Sequence, residues 1–180
     1  MPIAFRKDRF VLGGFSQEWL SFTPQKPASR LMGLDQSDCP RVFAYADLIC
    51  AENGKLFTFY NIHTDHMGTY TRVVECAILL RTISERGGMY AVTGDFNALP
   101  DSPEITMIRE TRDALGIVDA TQGIKGSFHG FKGDVGEHKI DYIFTNLPTD
   151  PAESYAIPDD NTCGCYYSDH NALCAWVELN

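Results

Sequence analysis

The run AVTGDFNAL, residues 91–99, restricts the architecture more tightly than any other stretch of the sequence. Its small and β-branched start reads as a buried strand, and such a strand has to lie inside a sheet. Polar side chains at its exit then stand on the sheet rim, where ligands collect. In extended chain Asp95 and Asn97, two apart, point to one side. A carboxylate beside a carboxamide suits a magnesium-type cation together with a phosphoryl oxygen. Gly, Asp and Asn are also turn formers, so the same residues equally suit a tight turn.

The remaining chain supplies partners for that strand. Pro2–Arg6 and Phe10–Leu12 read as short strands, and residues 15–40, rich in Pro, Ser, Asp and Gly, as a long surface loop. Val42–Cys50 has strand composition, Asn53-Gly54 signals a type I′ turn, and Lys55–Asn61 returns as the second strand of a hairpin. Val73, Ala77 and Leu80, with Val74 and Ile78, predict a helix over 69–84 closed by Gly87-Gly88. Ser102-Pro103 opens a second helix running to about Leu115. Ile140–Thr145, Glu153–Ile157 and Ala172–Leu179 read as three more strands, so one layered domain of α and β elements over 1–180 is expected.

Composition excludes several classes. No apolar run approaches the ~20 residues of a membrane helix. A net charge of -9 opposes long nucleic acid as a partner and leaves small phosphoesters or short nucleotides. The six cysteines lack the spacing of a disulfide framework, which favours reduced thiols and a cytoplasmic location. Cys163 and Cys165 near His170 offer half of a zinc site, without a second cysteine pair.

Chemistry-bearing residues stand at the strand ends: Asn61 and His63, Asp95 and Asn97, Asp141, and Ser168-Asp169-His170. Each alone has an ordinary structural reading, a sheet-edge histidine or an Asx turn. Together, on one rim, they suit metal-assisted hydrolysis at phosphorus better than acyl transfer, which wants a positioned Ser or Cys.

NIHTDH, GDFNALPDSPEI, IDYIF and SDH, in this order, resemble the endonuclease/exonuclease/phosphatase superfamily, and PIAFRKDRF, WLSFTP and Cys39-Pro40-Arg41 extend the resemblance over essentially the whole chain. It implies a deoxyribonuclease-like, four-layer α/β/β/α sandwich and phosphoester hydrolysis with Mg²⁺ or Mn²⁺. By position, Asp95 resembles the carboxylate that positions or deprotonates the attacking water, and also a metal ligand. Asn97 resembles the carboxamide on the scissile phosphate, and Asp169 a carboxylate at the metal. His170 resembles the phosphate-holding histidine, oriented by Asp141 with a raised pKa. His63 resembles the proton donor to the leaving oxygen, with Asn61 beside it. Arg41 and His129 are further substrate-binding candidates, and His66, Asp65 and Arg72 are either functional or structural.

Members of the superfamily carry an Asn-bearing strand and a strand bearing the principal metal-ligand Glu before the segment that corresponds to Pro2. Without that Glu, metal affinity is expected to fall ~10- to 100-fold. Without those strands a sheet edge is left open, which points to a fragment or to self-association through that edge. Three readings follow: a phosphoesterase, a non-catalytic binding or assembly module on the same scaffold, and a zinc-binding module built on Cys163 and Cys165.

Overall fold

In a computed structural model the described residues are 1–159, 161–162 and 164–179. Eight strands, three helices and a 3₁₀ turn form a mixed sheet with helices on one face and a small second sheet on the other. The six-stranded sheet has the order β1-β2-β3-β4-β6-β5, built from β1 Phe10–Trp19, β2 Val42–Cys50, β3 Leu56–His63, β4 Met89–Asp95, β5 Val118–Asp119 and β6 Asp141–Thr145. β7 Tyr155–Ile157 and β8 Ala172–Cys174 pair antiparallel in the second sheet, with β8 lying against β6. This is a layered α/β architecture; among the described residues its second sheet has two strands.

α1, Thr69–Arg86, carries the chain from β3 to β4 and makes that pair parallel, while the other pairings in the large sheet are antiparallel. The period-2 alternation of strands then sorts side chains by face. Tyr60, Ile62, Val92, Tyr142 and Phe144 point to the helix side and pack with Cys76, Leu79 and Ile83 of α1 and Ile105 and Ile108 of α2, Pro103–Glu110. Asn61 and His63, Thr93 and Asp95, and Asp141 and Ile143 therefore share the opposite face.

Several expectations are corrected. Residues 2–6 form no strand; Ile3 and Phe5 instead pack their side chains on the sheet beside Phe57. β1 extends through Trp19 into the span read as loop, because residues 15–19 find partners in β2. The hairpin turn is not type I′: of its residues only Gly54 has positive φ, and four residues bridge Cys50 and Lys55. Asn53 uses its side chain elsewhere, accepting from Lys55 N at 3.1 Å and donating to Leu179 O at 2.7 Å. The second helix breaks at Thr111, whose hydroxyl donates to Ile108 O (2.7 Å), before the short α3, Arg112–Leu115. β8 stops at Cys174, and residues beyond it are held by loop contacts such as Glu178 N to Pro148 O. Residues 151–153 coil into a 3₁₀ turn before β7.

β1 is one edge of the sheet, with Val11, Leu12 and Phe15 about half exposed. No helix among the described residues is long and apolar enough to cross a membrane.

Candidate active site

Register builds half of the site. His63 on β3 pairs with Asp95 on β4, and Asp95 pairs with Asp141 on β6. Three polar side chains thus stand in a row across neighbouring strands, about one strand spacing apart and on the face away from the helices. His63 Nε2 lies 3.4 Å from Asp95 Oδ2.

Gly94 makes the row possible. Its φ of +155 is one that side chains rarely adopt, and a Cβ there would collide with the carbonyl of Ile62. β3 and β4 can approach at the rim only because this position is bare.

The other half comes from the C-terminal segment. His170 Nδ1 lies 2.7 Å from Asp141 Oδ2, while its Nε2 stands 3.9 Å from both Asp95 Oδ2 and Asp169 Oδ1. The segment is fixed by the 127–138 loop: Asn171 N donates to Ser127 O, and Ser127 Oγ accepts from both Ile140 N and Asp141 N. One serine therefore positions the start of β6 while its carbonyl holds the chain next to His170. A cleft of about 400 Å³ opens here, with Asn61, Thr93, Asp95, Asp141, Ser168 and His170 among its walls. Asp95, Asp141 and His170 can each offer one ligand atom within 4.8 Å of the others, the single such cluster among the described residues.

Electrostatics separates these groups. Burial and the facing Asp141 push the Asp95 carboxyl up to about 6. The hydrogen bond to Asp141 raises His170, despite burial, because the imidazolium is paired with a carboxylate. Burial, then Arg41 and His170, push His63 down to about 4. Neutral near pH 7, His63 does not carry the additional proton that the donor role expected for it requires; it offers an imidazole lone pair or a neutral N–H.

The remaining candidates divide. Asn97 does not continue the extended chain of Asp95. It sits at φ +48, its backbone N donates to Asp95 Oδ1 at 2.8 Å, and its Nδ2 donates to Thr64 O at 3.1 Å. The one-side geometry expected for the two is thus replaced by an Asx turn, which also aims Asp95. Asn61 Nδ2 is engaged by Pro2 O at 2.9 Å, and Arg41 Nη2 by His66 Nδ1 at 2.8 Å. Asp169 is at the rim, with its side chain 40% exposed. His129 is buried in the neighbouring loop, where its N–H donates to Asp169 O.

Asp65 and Arg72 are engaged within the fold. Asp65 accepts from Ser37, Met67 and Gly68, and Arg72 is paired with buried Glu104 beneath the helices. Of the zinc candidates, Cys163 lies outside the described residues and Cys165 is an exposed free thiol. Ser127 and Phe128 were not apparent as site residues from sequence, because SFHGF carries no strand-end signal of the kind that marked the other clusters.

Among solved structures, an endonuclease/exonuclease/phosphatase from Bacteroides vulgatus superposes with a TM-score of 0.79 at 28% identity, covering 98% of this chain and 69% of that one. This chain is thus similar to that protein along nearly the whole of its own length. A mannosyl-6-phosphatase of Bacteroides thetaiotaomicron shares the same fold at a TM-score of 0.76 and 22% identity, over 97% of this chain and 69% of that one. A conserved protein of unknown function from Enterococcus faecalis does so at 0.81 and 21% identity, over 97% and 69%. No protein-family model matches the sequence, and none of the curated proteins does. The endonuclease/exonuclease/phosphatase resemblance read from NIHTDH, GDFNALPDSPEI, IDYIF and SDH therefore holds at the level of the fold along nearly the full chain, with those four motifs meeting around one sheet rim.

Proposed function

We propose that this protein hydrolyses phosphate esters of small molecules, with a magnesium or manganese ion as cofactor. The observation that carries the reading is the convergence of Asp95, Asp141 and His170 on one cleft at the rim of the sheet. The residues fit a hard cation. Two carboxylates face each other closely enough that burial and mutual repulsion raise Asp95, and a divalent ion on their oxygens would relieve that repulsion. Asp95 and Asp141 would hold it, with Asp169 at the rim. Such an ion supplies Lewis-acid stabilisation of the charge that develops on phosphoryl oxygens.

The chain's own groups do the rest. Asp95 Oδ1 is engaged by Asn97 N, so Oδ2 is the oxygen that orients an attacking water. His170, hydrogen-bonded through Nδ1 to Asp141, turns Nε2 to the cleft, where the imidazolium form that Asp141 favours would donate to a phosphoryl oxygen far more effectively than in bulk water. His63, neutral, borders the leaving-group side as a hydrogen-bonding partner. The net charge of -9 supports a small substrate over a long polyanion. The similar mannosyl-6-phosphatase, named for a phosphate monoester, supports the same class.

The test is hydrolysis of p-nitrophenyl phosphate and bis-p-nitrophenyl phosphate with magnesium or manganese. Asp95→Ala and Asp169→Ala are expected to lower turnover about 100-fold or more, with circular dichroism unchanged. Equal turnover in parent and variants refutes the assignment. Calorimetry showing no magnesium or manganese uptake at millimolar concentration supports instead a non-catalytic module on this scaffold.

A further inference from the structure

At the edge of the large sheet opposite β1, a cavity of about 400 Å³ has Arg109, Arg112, Val118, Asp119, Gln122 and Thr149 among its walls. β5, which contributes Val118 and Asp119, pairs with β6 at Thr145 and Phe144, whereas Asp141 at the other end of β6 belongs to the candidate active site. Along β6 the two places are ~13 Å apart at the rise of an extended strand. The cavity is therefore no extension of the cleft, and the two have no wall residue in common.

Its walls carry an excess of positive charge. Asp119 is the one carboxylate among them, and it is already engaged: its oxygens accept from Lys139 Nζ at 3.1 and 3.4 Å and from the amide and hydroxyl of Thr121. Lys139 is buried and balances that carboxylate from within, which leaves the two arginines uncompensated. Glu110, Asp113 and Asp150, neighbours of wall residues in sequence, are not among the walls. The cleft of the candidate active site, by contrast, presents Asp95 and Asp141. Arg109 is both accessible and held in place. Its side chain is 39% exposed, while Nη1 donates to Pro100 O at 2.7 Å and Nη2 to Asp119 Oδ2 at 3.3 Å. Those bonds use two of its five N–H donors and fix the fork that carries the rest. Arg112, one helical turn on, is exposed, and its side chain has no hydrogen bond or ion pair among the described residues. Packing at the end of α2 accounts for the two bonds of Arg109. It does not account for a second, unpaired guanidinium on the same cavity.

We propose that this cavity is a second anion site, which takes a phosphoryl dianion as inorganic phosphate or as the phosphate of a small monoester. Guanidinium forks match phosphoryl oxygens with paired N–H bonds, and two forks suit the charge and the several acceptor oxygens of phosphate better than the one oxygen pair of a monocarboxylate. The Gln122 side chain, also exposed, adds a neutral amide donor. The volume lies at the small end of ligand cavities, in keeping with a compact ion. No group of the cleft takes part, so this site is independent of the phosphoester reading above.

The experiment titrates the full chain with inorganic phosphate, methyl phosphate and succinate at constant ionic strength, with a chelator present so that no divalent ion draws phosphate to the cleft. Calorimetry gives the affinity and amide chemical shifts give the place. Phosphate is expected to shift amides at 109–112 and 118–122. Arg112→Gln removes the charge of an exposed side chain that holds nothing in the fold, and should raise the Kd for phosphate about 10-fold with thermal stability unchanged. Arg109→Lys keeps the charge and loses the fork, and should weaken binding to a similar extent. Asp95→Ala, in the cleft, should leave the affinity as it is. Methyl phosphate that binds as tightly as phosphate assigns the site to monoesters, and phosphate alone assigns it to the free ion. Succinate that binds as tightly as phosphate overturns the phosphoryl assignment. An affinity indifferent to Arg112, shifts confined to 168–171, or neither heat nor shifts at millimolar phosphate overturns the site.

Discussion

Glu75 on α1 is fully buried, and one of its oxygens, Oε1, has no hydrogen-bond partner among the described residues; Oε2 accepts from Asp65 N at 2.7 Å. Burial pushes its carboxyl up to about 8 from an ordinary 4.5, against the modest opposing pull of that hydrogen bond. An unfolded chain releases this proton near 4.5, whereas the folded chain holds it until about 8, so in between the unfolded state binds fewer protons. Stability from this group is therefore complete below pH 4.5 and drains away as pH rises towards 8. At ~1.36 kcal/mol per pH unit the whole span amounts to about 5 kcal/mol. Glu75→Gln has no proton to lose and keeps an acceptor for Asp65 N, but places an amide where Oε1 is unpartnered, at a cost of ~1–2 kcal/mol. The variant should be less stable than the parent by about that amount at pH 4.5 and more stable by about 3 kcal/mol at pH 8. Urea unfolding at pH 4.5, 6 and 8 measures the difference directly, since every other titrating group is common to both chains. A difference that stays constant across this range refutes the reasoning.

Glu104→Ala leaves the Arg72 guanidinium buried without its carboxylate and should destabilise by about 3–5 kcal/mol in urea unfolding, while the double variant Arg72→Met/Glu104→Leu recovers most of the loss. Gly94→Ala forces a Cβ against Ile62 O and should cost more than ~3 kcal/mol together with turnover, measured by thermal unfolding and p-nitrophenyl phosphate assay. Asp35→Ala removes the acceptor of Tyr70 N, Thr71 N and the Thr71 hydroxyl at the start of α1 and should lower stability by ~1–2 kcal/mol with early loss of amide protection at 70–71.

What was legible beforehand follows from how local the information is. β2 was readable to the residue, Val42–Cys50, because its β-branched and aromatic residues are bounded by Arg41 and a turn. α1 was readable as a helix because apolar residues recur at three- and four-residue spacing before Gly87, although the face it buries runs through Arg72, Glu75, Cys76, Leu79 and Ile83 and leaves Ala77 exposed. His63, Asp95 and Asp141 stood out because each marks the end of an apolar run, and the parallel register imposed by α1 places the first two side by side. The failures are tertiary. Asn97 depends on a left-handed turn that binds Thr64, 33 positions earlier. α1 is capped by Asp35, from a span that read only as loop. Residues 127–138 form a wall of the candidate site through backbone bonds to Asp169 and Asn171, and such bonds leave no mark on composition.

The two halves of the site accordingly have different mechanical origins. His63, Asp95 and Asp141 sit on three hydrogen-bonded strands over a core that includes Tyr60, Val92, Phe96 and Tyr142, so their spacing changes only if the sheet itself is disrupted. His170 reaches them from a short irregular segment on the surface, held by Asp141, Ser127 O, the Phe128 ring, the His129 and Gly130 N–H groups on Asp169 O, and Asp159. Local opening free energies are lowest where buried contacts are fewest. The segment 168–171 should therefore exchange its amide protons faster than β4, and a ligand that bridges Asp95 and His170 should slow exchange at 169–171 while leaving 91–93 unchanged. Equal protection of both regions in the free protein would mean that the 127–138 loop holds His170 as firmly as the sheet holds Asp95, and would place the whole site on one rigid frame.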